Sequence, residues 1–176
     1  DDLAHRLPRR PAAVAGRFSY IGFHGYFLTI CTIRSARWFE ESLAAHWLTR
    51  QIPSLFEPRG FAVLAFCVMP DHVHLLLEGL TGDADLRAAV HDWKRRTGYA
   101  WKQRTGRRLW QQGFYDYVLR DPDRIAALVR YVVQNPIRAG LTQDVTRYPH
   151  AGSSSHSTIA LIEVAQDWEP PWKRRR

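Results

Sequence analysis

The sequence predicts an α+β fold: an antiparallel sheet of the ferredoxin-like, split βαβ type with helices on one face. Three observations lead to it. Apolar segments follow one another in the order strand, helix, strand, strand, helix, strand, helix. The link between segments 61–69 and 72–78 is so short that two strands there must run antiparallel. The 176 residues, 45% of them hydrophobic, suffice for one domain with its own core.

The first three elements are predicted from residue type and spacing. Residues 26–33 are rich in β-branched and aromatic side chains, which favour a buried strand. Apolar residues over 39–51 recur at helical spacing, and Pro53 is expected to end that helix because proline lacks the backbone N–H. Residues 61–69 are almost wholly apolar and predict a second strand.

A third strand over 72–78 follows the turn signal at Pro70. Because successive strand side chains point to opposite faces, His72 and His74 share one face. Leu76 is the one apolar residue of this strand on the histidine face. Val73, Leu75 and Leu77 lie on the other face and are expected to pack into the core. We expect the face with the histidines to be uncovered, so that a site could lie there.

The second half of the chain predicts two helices and another strand. Residues 85–101 keep an apolar stripe typical of a helix packed on a core. Residues 114–119 predict a short strand. Asp121 and Pro122 suit the start of the last helix as N-cap and first helical residue, and Pro136 is expected to close it.

We expect one folded domain over 21–150, flanked by two tails. Residues 1–20 are polar and basic around two prolines, which indicates an arm. Residues 151–176 begin as a Ser-rich loop and end in a basic tail, with 159–164 as a last strand or a turn.

The composition indicates a globular protein with a polyanionic partner. Lys and Arg number 25 against 17 Asp and Glu, a formal net charge of +8, which suits nucleic acid. No apolar stretch approaches the roughly 18 residues that span a membrane, so no membrane partner is expected. Cys31 and Cys67 lie in apolar runs and are expected to be free thiols in a reducing, cytoplasmic compartment, although a disulfide between neighbouring strands stays open.

Two histidines and a distant helix carry the candidate chemistry. The Cα atoms of His72 and His74 lie about 6.6 Å apart by strand rise, so both imidazoles could reach one divalent metal ion. Tyr131 and Asn135 are four residues apart on the last helix, as a candidate nucleophile and a candidate amide ligand. The competing interpretation is structural: a half-buried tyrosine and a helix-ending asparagine.

Five further residues stay open as alternatives. Tyr115 and Tyr117 alternate on a predicted strand and are rival nucleophiles, although strand tyrosines usually serve packing. Gln134 is a rival amide ligand at a less suitable spacing. Glu78 shares the histidine face, where a solvated edge charge is the simpler interpretation, and Asp71 either makes the turn or orients the neighbouring histidine.

Four segments of the chain together match the pattern of a known family. They are YFLTICT at 26–32, VMPDHVHLL at 68–76, LWQQGFYD at 109–116 and YVVQNPIRAGL at 131–141. On these segments the chain resembles the single-tyrosine HUH transposases, and most closely the REP-associated tyrosine transposases. In this resemblance the family's histidine pair falls on His72 and His74, and its nucleophile on Tyr131. Its third metal ligand falls on Asn135, where insertion-sequence members often have glutamine.

The resemblance implies an HUH endonuclease palm and a metal-dependent reaction on DNA. With Mg²⁺ or Mn²⁺ as cofactor, single-stranded DNA beside a folded hairpin would be cut through a 5′-phosphotyrosine and rejoined. The implied targets are REP palindromes of a bacterial chromosome, at the nucleoid. Two other interpretations are a relative that binds DNA hairpins without cutting them and an RNA-binding sheet. Whether a monomer or a homodimer with exchanged tyrosine helices acts stays open.

A basic stretch with interleaved aromatic residues is the predicted DNA-binding surface, since cations neutralise phosphates and aromatic rings stack on unpaired bases. The tryptophans within it are more simply explained as core residues. The predicted DNA-binding residues are Arg9, Arg10, Lys94, Arg95, Arg96, Lys102, Arg104, Arg107, Arg108 and Arg124.

Overall fold

The computed structural model describes residues 18–120, 124–154, 156–157, 160–161 and 163. Its strands are β1 (Gly25–Cys31), β2 (Phe61–Met69), β3 (His72–Gly79), β4 (Tyr115–Leu119) and β5 (Ala151–Gly152). Its helices are α1 (Ser42–Phe56), α2 (Leu86–Thr105), α3 (Ile125–Val133) and α4 (Asn135–Arg138). The sheet order is β4-β1-β3-β2-β5 with every neighbouring pair antiparallel, which confirms the predicted fold class. No helix in this part of the chain is long and apolar enough to cross a membrane.

One face of the sheet packs against α1 and α2 and forms the larger part of the core. β3 contributes Val73, Leu75 and Leu77 to this face, all of them fully buried. Trp93 of α2 and Phe56 of α1 are fully buried in the same cluster. Burial of one such side chain stabilises the fold by about 1.5–3 kcal/mol, so these contacts hold both helices on this face.

The opposite face carries the histidines and is covered by α3. Leu76 is fully buried there with Phe27 of β1, and the apolar stripe of α3, including Leu128 and Val132, packs on them. The structure here differs from the expectation that the helices share one face, since only α1 and α2 do so. The reason is burial, because so apolar a helix is stable only when its stripe is covered, and Leu76 and Phe27 offer that cover.

Pro53 lies inside α1 and does not end it. The helix continues for another turn to Phe56, which corrects the predicted boundary. A proline inside a helix costs about 3 kcal/mol. Ile52 and Phe56 are both fully buried, and their burial, about 1.5–3 kcal/mol each, offsets that cost.

Pro136 lies just after the end of one helix and in the first turn of the next. α3 ends at Val133, and after Gln134 the chain enters α4 with Pro136 in its first turn. Proline suits this place because the first N–H groups of a helix have no partner within it. The helix therefore closes before Pro136, as predicted. The short helix that follows was not predicted, and it extends to Arg138, whose N–H donates to the Gln134 carbonyl at 3.1 Å.

The folded domain extends beyond both predicted boundaries. Tyr20, which we assigned to the arm, is buried in the core, and its hydroxyl donates to Asp116 at 2.9 Å. Ala151–Gly152, in the expected Ser-rich loop, forms β5 against β2. Leu161 is buried in the cluster that α3 covers. Each of these packed residues stands in an otherwise polar segment, so the composition of the segment does not indicate that it joins the folded domain.

Several predictions fall outside the described residues. They concern Arg9 and Arg10, the helix start at 121–122 and the basic tail at 173–176. Of the expected last strand or turn at 159–164, only Ala160, Leu161 and Glu163 are described, and they are helical.

Candidate active site

The two histidines of β3 meet at their outer nitrogens. His72 and His74 lie on one face, as predicted, and their Nε2 atoms are 3.1 Å apart. Their ring centroids are 4.6 Å apart, with the planes inclined at 76°. Two nitrogens that ligate one divalent ion at about 2.1 Å, with about 90° between the bonds, lie about 3.0 Å apart. The pair therefore has the spacing that a shared ion needs.

Each histidine also has a partner on its other ring nitrogen. Nδ1 of His72 lies 2.7 Å from the Asp71 carboxylate, which only accepts, so Nδ1 donates to it and Nε2 is the nitrogen that faces His74. Asp71 thus orients His72, one of the two roles considered for it. Nδ1 of His74 lies 3.0 Å from the hydroxyl of Thr29. Because a hydroxyl can donate or accept, Thr29 serves both neutral tautomers of His74, including the one with a free Nε2 lone pair.

His74 is held in its neutral form near pH 7. It is only 5% exposed. Burial, followed by the positive charges of His72 and Arg138, holds its pKa well below the usual range of histidine. Since only the unprotonated nitrogen binds a metal, this environment keeps His74 available as a ligand.

α3 brings Tyr131 to the histidines of its own chain. The Tyr131 ring contacts His74, with centroids 5.8 Å apart, and lies edge-on to Phe27 at 5.6 Å. Phe27 also stacks on His74 at 5.4 Å, so the three rings form one packed group. Tyr131 is half-buried, which leaves part of its side chain accessible. The candidate nucleophile and the histidine pair therefore meet within one chain.

Asn135 stands one helical turn after Tyr131, at the start of α4. It is half-buried, and its Nδ2 is buried without a hydrogen-bond partner among the described residues. An unpaired buried amide is costly, by about 1–3 kcal/mol, and is consistent with a group that acquires its partner on binding. The described ranges contain no group of three or more His, Cys, Asp or Glu side chains that could hold a metal ion. Asn135 stays the candidate third ligand, through its amide oxygen.

The rival tyrosines share the histidine face but lie further away. Tyr115 and Tyr117 are on β4, and β1 separates β4 from the histidines, which places Tyr115 about 9.5 Å from His74 by two strand spacings. The Tyr117 hydroxyl accepts a hydrogen bond from Arg124 at 3.3 Å. Tyr131, in ring contact with His74, is the nearer candidate nucleophile.

Two further alternatives are also placed by the fold. Glu78 lies four residues beyond His74 on β3, about 13 Å along the strand, too far to share an ion with it. Gln134 is the junction between α3 and α4.

Arg138 belongs to this site, although the sequence analysis did not single it out. Its guanidinium carbon lies 4.1 Å from the centroid of the Tyr131 ring. Its Nη2 donates to the Tyr131 carbonyl oxygen. The available signal was spacing: seven residues, about two helical turns, separate Tyr131 from Arg138, provided that the helical path continues through Pro136.

The predicted basic surface lies mainly on α2, which covers the face of the sheet opposite the histidines. A groove of about 560 Å³ runs between α2 and the loop that follows it. Cations dominate the charged residues of its lining, and Lys94, Lys102 and Arg108 of the predicted set are among them. The groove is therefore suited to a phosphate backbone.

The loop along this groove is tied to the strand end beside His72. The Lys94 ammonium donates to the carbonyl oxygens of Gln111, at 2.8 Å, and Gly113, and burial is the main cause that lowers the pKa of Lys94 to about 8. The N–H of Gln111 donates to the carbonyl of Cys31, which pairs with His72 across the sheet. Lys94 thus shapes the groove by holding its loop.

The other predicted DNA contacts on α2 and its loop have partners within the protein. Arg95 and Arg96 form ion pairs with Asp92 at 2.7 and 2.8 Å. The guanidinium groups of Arg104 and Arg107 lie 5.4 and 5.2 Å from the centroids of tryptophan rings. All four arginines are exposed, so a phosphate can still reach them. The tryptophans of the stretch itself are core residues, as expected: Trp93, Trp101 and Trp110.

Sequence comparison matches the chain to a family and to named relatives. The sequence profile described as "Transposase IS200 like" matches residues 23–135, a range that includes the histidine pair, Tyr131 and Asn135. A REP-associated tyrosine transposase of Escherichia coli (strain K12) is 24% identical over 149 residues, 85% of this chain and 87% of that protein. A protein of Haemophilus influenzae, provisionally given the same name, is 26% identical over 119 residues. That match covers 61% of this chain and 66% of the relative, slightly less than two thirds of its length.

A solved structure is similar in fold. It is described as a REP-associated tyrosine transposase bound to a REP hairpin, and it matches with a TM-score of 0.68 at 23% identity. The match covers 88% of this chain and 90% of that one. At this level of identity the likeness is one of fold.

Proposed function

The chain belongs to the IS200-like transposase family, and we propose that it cuts and rejoins single-stranded DNA beside hairpins through a 5′-phosphotyrosine on Tyr131. One arrangement carries the proposal: Tyr131 lies against His74, whose Nε2 is 3.1 Å from that of His72. A nucleophile and a histidine pair spaced for a metal ion thus occur together in one chain. A tyrosine with only a packing role would have no need of two metal-spaced histidines beside it.

The donor set supports a divalent ion, Mg²⁺ or Mn²⁺, held by His72, His74 and the amide oxygen of Asn135. Imidazole nitrogen suits borderline divalent ions, and amide and phosphate oxygens suit Mg²⁺ and Mn²⁺. When bound, such an ion polarises the phosphodiester and offsets the charge that builds on it.

The proposed reaction is an exchange of one phosphodiester for another. The phenolic oxygen of Tyr131 forms a bond to phosphorus and loses its proton, while the bond from phosphorus to the 3′-oxygen breaks. The 3′-oxygen takes up a proton and leaves as a hydroxyl, and the 5′-phosphate stays on Tyr131. Because the new phosphodiester keeps the energy of the old one, attack by a 3′-hydroxyl can rejoin DNA without a nucleotide cofactor.

The proposed substrate is a REP-type DNA hairpin with adjoining unpaired DNA. The names of the relatives and the hairpin bound to the structural neighbour support this class, as does the net charge of +8. The basic groove supports it as well, since its loop is tied to the strand end beside His72. The tyrosine and both histidines come from one chain, so the proposed enzyme acts as a monomer.

The test is a covalent-adduct assay on a labelled hairpin with an unpaired flank. With Mn²⁺ the unmodified protein should leave DNA attached to protein on a denaturing gel, and Tyr131→Phe should bind the hairpin equally but leave none. Tyr117→Phe, which removes a hydroxyl from the same sheet face, should retain the adduct. An adduct that persists in Tyr131→Phe would move the nucleophile elsewhere.

The same assay separates cutting from binding alone. Removal of all divalent ions with a chelator, or His72→Ala, should abolish the adduct and leave salt-sensitive hairpin binding. Cleavage that continues in the chelator would contradict the metal role. Binding without any adduct, at every metal tested, would instead support a hairpin-binding protein that does not cut.

A further inference from the structure

The Tyr131 ring has a cation as one of its neighbours. Phe27 and His74 contact the ring at 5.6 and 5.8 Å between centroids, and the guanidinium carbon of Arg138 lies 4.1 Å from the centroid. This distance is well inside the range of about 6 Å over which a cation is attracted to an aromatic face. Arg138 and His74 therefore both contact the ring of the candidate nucleophile.

Arg138 also binds the end of the nucleophile's helix. The last carbonyls of a helix lack partners within it. Here the Arg130 carbonyl accepts from the N–H of Gln134 at 2.9 Å, and the Tyr131 carbonyl accepts from Nη2 of Arg138. A helix cap would explain this bond, but it would not require the guanidinium to lie over the ring. One side chain thus holds both the backbone and the ring of Tyr131.

We propose that Arg138 is a positioning residue for the nucleophile: it holds the Tyr131 ring against His74 and places a permanent positive charge beside the phenol. This inference rests on the proposed function. During attack the phenolic oxygen loses its proton and negative charge builds on that oxygen and on the phosphate. A guanidinium stays charged throughout and needs no rearrangement as this charge develops, so it lowers the barrier to bond formation.

The geometry also requires arginine in particular. Its planar fork can donate to the Tyr131 carbonyl while the delocalised charge lies over the ring. A lysine ammonium is a compact point charge and cannot do both from one position. Arg138 is an exposed residue, so it stays accessible when DNA reaches Tyr131.

The test separates positioning from folding and from DNA binding. Arg138→Gln, Arg138→Lys and the control Arg37→Gln, whose arginine pairs with Glu40 at 3.0 Å, are compared with the unmodified protein. Hairpin affinity is measured by fluorescence anisotropy, and adduct formation is measured in a single turnover at saturating protein. We expect Arg138→Gln to form the adduct at least about 10-fold more slowly with affinity changed less than about 3-fold, Arg138→Lys to be intermediate, and Arg37→Gln to match the unmodified protein.

A second measurement does not depend on cleavage. The protein is labelled with 3-fluorotyrosine, and the resonance that disappears in Tyr131→Phe is assigned to Tyr131. In Arg138→Gln this resonance should shift and broaden, because the ring has lost a neighbour that fixes it. An unchanged resonance, or an unchanged adduct rate, would overturn the proposal. If the unmodified protein forms no adduct, the proposed function fails, and the fluorine resonance alone decides whether Arg138 positions Tyr131.

Discussion

Acid should destabilise the metal-free protein between pH 7.5 and pH 5.5, with His74 as a principal cause. Burial, followed by the charges of His72 and Arg138, holds the pKa of His74 in the folded protein well below that of an unfolded histidine, about 6.5. Below pH 6.5 the unfolded chain therefore binds a proton that the folded chain does not. The free energy of unfolding then falls as the pH falls, until the pH reaches the folded pKa.

The magnitude follows from proton linkage. For a folded pKa well below 5.5, one such histidine lowers the free energy of unfolding by about 1.4 kcal/mol between pH 7.5 and pH 5.5. About three quarters of that loss, about 1.0 kcal/mol, falls between pH 6.5 and pH 5.5. His150 acts in the same direction, because its pKa is also lowered, by burial and then by the charge of His46. The free energy of unfolding of the unmodified protein should therefore fall by more than the contribution of His74 alone.

The assay is urea unfolding at pH 7.5, 6.5 and 5.5 with a chelator present, followed by tryptophan fluorescence. Between pH 7.5 and pH 5.5, the free energy of unfolding of His74→Gln should fall by about 1.4 kcal/mol less than that of the unmodified protein. This difference does not depend on the stability of the variant at pH 7.5. His91→Gln, which removes an exposed histidine of α2, is the control and should follow the unmodified protein. Parallel pH dependences in His74→Gln and the unmodified protein would refute the reasoning that burial keeps His74 neutral.

Four further substitutions test other contacts. Thr29→Val removes the hydroxyl 3.0 Å from His74 and should weaken Mn²⁺ binding about 10- to 100-fold in calorimetric titration; an unchanged affinity would count against its role. Gly79→Ala would push a methyl group into the Gly22 carbonyl oxygen and should lower the melting temperature, whereas Gly98→Ala, with only ordinary contact at 3.6 Å, should raise it by removing a helix glycine. Lys94→Met should release the loop at Gln111 and speed its cleavage in limited proteolysis; equal rates would contradict the tether.

The strand pattern and the histidine pair could be predicted from local rules. Side chains alternate along any strand, so His72 and His74 had to share a face once the segment was a strand. The same rule placed Leu76 on that face as an apolar exception. Its meaning became clear only with α3, which covers it.

The two prolines show where local rules stop. Proline disfavours a helix interior, yet Pro53 is inside α1 because Ile52 and Phe56 are fully buried around it. Pro136 fits both the end of one helix and the first turn of the next, and residue type does not choose between them. Because the chain continues into α4, Arg138 comes to lie over Tyr131.

Local rules predicted the first four strands, the three longer helices and the shared face of the histidines, because backbone geometry sets side-chain periodicity within each segment. The family pattern added Tyr131 and Asn135. Local rules did not predict that α3 covers the histidine face, that Tyr131 contacts His74, or that Arg138 lies over Tyr131. These outcomes depend on which apolar surfaces from distant segments bury one another, a choice made by the whole chain at once.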